Sequence, residues 1–139
     1  MKAISILQPW ATLIAVGAKR IETRSWATKY RGPLAIHASK GLPKEGIPVI
    51  AVTEAQRLAK ADRFLDLPRG VVIATCNMVD CIQIGDEFPG TISDQEYAFG
   101  DYEYGRYAWI LEDVRPLPEP VPAKGMLGLW NWEPPPGVL

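Results

Sequence analysis

GVVIATCNMVDCIQIG, residues 70–85, is a run rich in Val and Ile with a glycine at each end and no proline inside it. Branched side chains suit the pleated, half-buried surface of a strand, and the two glycines read as its turns. Val71 to Ile84 is therefore predicted as the central strand of a small barrel. Cys76 and Cys81 both lie on it, five positions apart. An odd separation along an extended chain sends two side chains to opposite faces, so they are expected as two free thiols.

Shorter elements surround this strand. Upstream, Ala3 to Leu7 is an apolar run suited to a buried strand. Pro9 suits the first turn of a helix, on which Trp10, Leu13, Ile14 and Gly17 share one side, and Gly17 can end it by turning left-handed. Arg20 to Trp26 alternates, so that Arg20, Glu22 and Arg24 share one face of an extended segment. Pro33 to Ala38 follows a Tyr-Arg-Gly-Pro turn as a further strand, and Gly41 and Pro43 open a loop. Pro48 to Ala61 sets Ile50, Ala51, Ala55, Leu58 and Ala59 against Glu54, Gln56, Arg57 and Lys60, an amphipathic helix.

Downstream, residues 86–104 carry six acids and no base, with Gly90, Gly100 and several aromatics. They read as a solvated excursion with a turn or short helix, or else as an acidic lip that repels unwanted anions or docks a protein partner. Tyr107 to Val114 is a strand. Prolines at 116, 118, 120 and 122 then remove ladder donors and impose an edge-like path. Leu127 to Trp132 is a last short strand before a Pro-rich tail over 133–139. Six short strands with two early helices lack regular βαβ alternation, and an α+β fold with a small mixed β-barrel and short flanking helices fits better.

The 139 residues suit one domain over 1–139, able to bury its own core, and no repeat, low-complexity block or linker divides them. No apolar run reaches membrane-spanning length and no leader pattern opens the chain, so the expectation is a cytoplasmic protein with no membrane partner. Two cysteines and the single histidine, His37, fall short of a four-ligand zinc site; no metal or other cofactor is expected. Net charge is −1, yet residues 1–40 hold seven basic residues against Glu22 alone, leaving a local excess of +6. Such asymmetry can steer an anionic ligand on a near-neutral molecule, or it can be scattered solvated lysines.

Most of the chemistry lies between Gln8 and Lys40. Gln8-Pro9-Trp10 stands at a helix start, where unpaired N–H groups suit phosphate or carboxylate; Lys19, Arg24 and Arg31 add full positive charge. Trp10, Trp26 and Tyr30 offer faces on which a base can stack, at roughly 1–3 kcal/mol per stack. Plainer readings stand beside these. Trp10 lies on the apolar stripe of its helix, as a core residue would. Glu22 and Arg24 can pair with each other, for less than ~1 kcal/mol at a surface, and His37 in an apolar strand suits a structural role.

The segment Ser5 to Lys40, with Gln8-Pro9-Trp10, Gly17-x-Lys19-x-x-Glu22-x-Arg24, Trp26, Tyr30-Arg31-Gly32 and Ile36-His37-Ala38, resembles the ASCH domain family. Gly70 to Asp80 and the ending Ala123-Lys124-Gly125 to Leu129-Trp130 match as well. The resemblance implies a PUA-like barrel with a cleft beside the first helix, lined by Lys19, Glu22 and Arg24. It also implies binding of RNA or a nucleotide-like small molecule, with a role in RNA processing or translation-linked regulation. The ligand-binding set it suggests is Gln8, Trp10, Lys19, Glu22, Arg24, Trp26, Tyr30, Arg31 and His37. Lys19 and Arg24 would hold an anionic or carbonyl oxygen, and Glu22 would orient them or accept a base N–H.

Some members of the family are small amidohydrolases of acetylated cytidine, with a threonine nucleophile, the motif lysine and a later glutamate. This chain keeps the lysine as Lys19 but carries Glu22 in place of the threonine, with Thr23 on the opposite strand face and Asn77 near the later acid. Others resemble metal-free ribonucleases, for which Lys19, Glu22, Arg24 and His37 are the right residue types. If the chain is an enzyme, Lys19 and Glu22 are its catalytic candidates.

Overall fold

The structure, a computed structural model, describes every residue of the chain except Glu45 and Pro89. In chain order it runs β1 (Lys2–Ile6), α1 (Trp10–Ala15), β2 (Ile21–Arg24), β3 (Gly32–Ala38), α2 (Val49–Ala59), a 3₁₀ turn (Phe64–Asp66), β4 (Val71–Gln83), α3 (Asp94–Ala98), β5 (Tyr107–Pro122) and β6 (Leu129–Asn131). The six strands form one sheet in the order β2-β5-β4-β3-β1-β6, with β1 and β3 parallel and the other neighbours antiparallel.

The barrel takes the form of a curled half-barrel. In a flat sheet β2 and β1, four steps apart in the order, would lie ~19 Å from each other. Instead, the Arg24 guanidinium at the end of β2 donates through Nη2 to the Ser5 carbonyl on β1 at 2.8 Å. Only strong curvature brings those strands into contact.

Strand alternation divides the core between the two sheet faces. Ile4, Ile6, Leu34, Ile36 and Ala38 point into the hollow and pack on Ala11, Ile14, Trp109 and Leu111. Ala3 and Ala35 point the other way, onto Val72, Trp130 and Trp132, where Val138 of the Pro-rich tail also packs. α1 fills the hollow and is buried from Ala11 through Ala15, which explains a helix sequence, WATLIA, without a charge. Pro9 stands just before this helix rather than inside its first turn. At the other end Gly17 is left-handed, at φ +82°. Its N–H donates to the Ile14 carbonyl and that of Ala18 to Leu13, the paired bonds of a Schellman cap. α2 buries Ala51 and Ala55, while Ile50, expected on its inner face, is half exposed.

β4 pairs with β3 on one side and β5 on the other, as a central strand should. Its ladder to β5 shifts register three times, once between Met78 and Asp80. That bulge adds Val79 and reverses the alternation beyond it. Cys76 and Cys81 therefore pack on the same cluster, contrary to the opposite faces expected from an unbroken strand; both are free thiols. The proline-rich stretch continues β5 to Pro122 and pairs with β4 alone, so it behaves as an edge.

The 86–104 excursion is less solvated than its composition suggests. α3 lies within it, capped by the Ser93 hydroxyl, which accepts from the Glu96 N–H at 3.0 Å. Glu96 itself is buried, and its carboxylate accepts from the backbone N–H groups of Arg20 at 2.7 Å and Ile21 at 3.3 Å. This acid clamps the excursion onto β2 instead of facing water. Among the described residues no helix is long and apolar enough to cross a membrane.

Candidate ligand cleft

The C-terminal end of β1, the start of α1, strand β2 and residues 98–106 enclose a cleft of about 530 Å³, within the usual range for a small-ligand site. β2 supplies its polar wall. Glu22 and Arg24, two apart on one strand, both line it, and the Arg24 Nε lies 3.1 Å from Glu22 Oε2. That N–H is not aimed at the carboxylate, so the pair is one of proximity rather than an aligned hydrogen bond. The guanidinium is fixed through Nη2 on Ser5, and the Glu22 carboxylate is held nearly out of solvent.

Two indoles face the same space. Trp10 is half-buried between the main core and the smaller cluster under α2, and it also lines the cleft. Core packing and cleft lining are thus both true of it. Trp26 stands edge-on to Trp109, with ring centroids 4.8 Å apart, and the Trp109 Nε1–H donates to the Trp26 carbonyl at 3.3 Å. The far wall is Phe99, Gly100, Asp101 and Arg106. Arg106 Nε approaches Asp101 Oδ2 at 3.5 Å and its Nη2 donates to the Thr23 carbonyl at 3.2 Å. Among the described residues the four charged side chains of the lining therefore form two opposite-charge pairs that balance each other.

Lys19 lies beneath this surface. It is 1% exposed, and its ammonium donates to the Ile21 carbonyl, the one protein acceptor it has among the described residues. Burial lowers its pKa from the ordinary lysine value, while the Glu22 and Glu96 carboxylates act in the other direction. Gln8 is fully buried too. Its carbonyl accepts from the Thr12 N–H at 3.0 Å and its amide donates to the Pro68 carbonyl at 2.7 Å, so it ties α1 to the start of β4.

Tyr30, Arg31 and His37 do not line the cleft. The Tyr30 hydroxyl donates to the Pro33 carbonyl across its own turn. Arg31 is exposed, bonds the Thr28 and Tyr30 carbonyls and approaches Asp80 at 3.5 Å. His37 is buried on the other side of β1, between the Ser5 hydroxyl at 2.9 Å and the Ala123 carbonyl at 2.8 Å. Of the nine residues singled out by sequence, the cleft brings together Trp10, Glu22, Arg24 and Trp26.

The ASCH domain model matches residues 4–121, most of the chain. This chain belongs to the ASCH domain family. Among curated proteins it is similar to activating signal cointegrator 1 of Homo sapiens, 29% identical over 133 residues, which cover 92% of this chain and 22% of that protein. The Mus musculus protein of the same name is 28% identical over the same shares. The chain thus spans about a fifth of the length of these relatives. Among solved structures, the ASCH protein of Zymomonas mobilis matches with a TM-score of 0.51 and 20% identity, covering 87% of this chain and 72% of that one. A point variant of it matches with a TM-score of 0.52 and 19% identity, covering 87% and 74%.

Within this ASCH domain the Gly17-x-Lys19-x-x-Glu22-x-Arg24 pattern has a physical reading. Gly17 turns the chain at the end of α1, and Leu13 then takes the Lys19 N–H as well as that of Ala18. The chain enters β2 with Lys19 inward, and strand alternation delivers Glu22 and Arg24 to the cleft. Sequence reasoning missed Phe99, Asp101 and Arg106, some eighty residues away. Their only signal was that an acidic stretch also carried aromatics and Gly100, which an excursion serving solvent alone would not need.

Proposed function

We propose that this ASCH domain holds single-stranded RNA or a nucleotide-like ligand with one base in the cleft. One observation carries the reading: a carboxylate and a guanidinium, Glu22 and Arg24, stand 3.1 Å apart on the wall of a cleft that Trp10 and Trp26 also line. A nucleobase edge presents an N–H donor beside a carbonyl acceptor, and such a pair answers both. The indoles offer apolar faces to the ring, as single-stranded RNA recognition requires. The paired charges of the lining favour a neutral base there over a phosphate. A role in RNA processing or translation-linked regulation would follow from such binding. The test is calorimetric titration with short oligoribonucleotides. Arg24→Ala is expected to weaken binding by about tenfold, the worth of one charge-assisted hydrogen bond. Unchanged affinity in a variant that still unfolds cooperatively would remove the cleft from recognition.

A hydrolytic use of the same cleft has one observation in its favour. Lys19 is a buried cation of lowered pKa electrostatically coupled to Glu22, and perturbed groups at a cleft are candidates for proton transfer. Lys19 and Glu22 would then be catalytic, and the Glu22→Gln protein should bind its ligand yet lose turnover. Full turnover in that variant would exclude Glu22 from the chemistry.

A further inference from the structure

A second cavity, of about 880 Å³, lies on the other side of the end of β1. Among the described residues its lining includes three cations, Lys40, Arg69 and Lys124, and no acid. The cations come from segments far apart in sequence, and the backbone stitches those segments together. The Gly70 N–H donates to the Ala38 carbonyl at 2.7 Å, and the Ala123 N–H donates to the Gly70 carbonyl at 3.2 Å. Arg69 adds a third stitch, its Nη1 donating to the Lys40 carbonyl at 2.9 Å.

Among the described residues no lysine forms an ion pair, and Arg20 and Arg69 are the arginines without one. Of the eight arginines, six approach a carboxylate: Arg24, Arg31, Arg57, Arg63, Arg106 and Arg115. Arg69 does not, and neither do Lys40 and Lys124 among the described residues. The fold thus gathers three like charges with no counter-charge among the described residues, an arrangement that an anion would relieve. With Nη1 committed, the Nε–H and Nη2–H edge of Arg69 remains to grip a planar pair of oxygens, and two lysines add point charge.

The floor of the cavity is rigid and polar. Trp130 Nε1–H can only donate, and it approaches Ser5 Oγ at 3.2 Å, while the Ala123 carbonyl can only accept from His37 Nε2. His37 Nε2 therefore carries a proton, and Ser5 Oγ, which lies 2.9 Å from Nδ1, ties the ring to the indole. Gly125 closes on this pair so tightly that a Cβ there would stand 2.6 Å from Ser5 Oγ and 2.7 Å from His37 Cε1.

From this we infer that the second cavity is a phosphate-binding site, formed by Lys40, Arg69 and Lys124 over the Ser5–His37 floor. The phosphate belongs either to a free phosphomonoester or to the backbone of an oligonucleotide. The inference stands without the reading of the first cleft, since the two cavities share only Ser5 among their lining residues.

His37 is the only histidine in the chain, so its ring signals in an NMR spectrum report on this cavity alone. The experiment titrates the full chain with inorganic phosphate and, separately, with a short oligouridylate, at ionic strength held constant with chloride. Saturable movement of the His37 signals with inorganic phosphate supports the site and identifies a free phosphomonoester as its ligand. Movement with the oligouridylate alone supports it and identifies a nucleic-acid backbone. Lys124→Ala, at an exposed side chain with no hydrogen bond among the described residues, is expected to weaken the response by about tenfold. Lys29→Ala, which removes an exposed cation outside both cavities, should leave the response unchanged. His37 signals that move no more with either probe than with chloride would overturn the inference. So would a saturable response that Lys124→Ala and Lys40→Ala both leave intact.

Discussion

Lys19 shows what a single residue contributes here and how its chemistry can be read in solution. Its buried ammonium has a pKa below the ordinary 10.5, so between that lowered value and 10.5 the unfolded chain binds more protons than the native one. Stability from this group therefore rises with pH across that window. Cys76 acts oppositely: burial pushes its thiol from 9.0 up to about 12, so the unfolded chain ionises first and stability falls over that range. The two are separated by comparing the wild type with Lys19→Met in denaturant titrations. The stability of the wild type relative to the variant should increase as alkaline pH is approached; a difference independent of pH would mean Lys19 is not buried as a charge. For the thiols, Cys81 should react with an alkylating reagent in the native protein while Cys76, 4% exposed, waits for denaturant. Equal native rates at both would contradict the packing of Cys76. The sequence pattern flagged Lys19, Glu22 and Arg24 together, but not that Lys19 points beneath the cleft. Its direction depends on the Gly17 turn and on where Ile21 places its carbonyl, neither of which spacing alone reveals.

Among the elements, α1, β4 and the 86–104 excursion each show where periodicity suffices and where it fails. α1 was legible because Gly17 follows an apolar run at the position a left-handed cap needs, and Gly17→Ala there should cost about 1–2 kcal/mol. A melting temperature unchanged by that substitution would count against the cap. β4 was legible as a strand, but its bulge at Val79 was not, since a register shift is set by its partner β5 and not by its own alternation. The excursion looked solvated because acids outnumber everything else in it. Glu96 is the exception, satisfied by two backbone N–H groups from residues more than seventy positions away. Glu96→Ala should cost about 1–3 kcal/mol by leaving those donors unpaired. Hydrogen exchange should then speed up at the amides of Arg20 and Ile21 first; unaltered protection there would show that the clamp is not closed in solution.

For the molecule as a whole, the decisive feature is where charge ends up after folding. The basic excess of residues 1–40 suggested one positive cleft, yet Arg24 is neutralised by Glu22, Arg31 turns outward to Asp80 and Lys19 is sealed below. Lys40 alone joins a cationic cavity, and its companions Arg69 and Lys124 come from the acidic remainder of the chain. Composition along the sequence could not show this, because the curl of the sheet decides which segments meet. What it leaves is a cleft walled in part by two indoles and a carboxylate–guanidinium pair, for which we propose a base as the occupant. The direct measurement is the affinity of the wild-type protein for a short oligoribonucleotide compared with an abasic strand of the same length and charge, at one salt concentration. If a base occupies the cleft, removing the bases should weaken binding by at least about tenfold, the scale of one lost stack. Equal affinity for the two strands would show that the protein holds only the backbone, and would contradict the account.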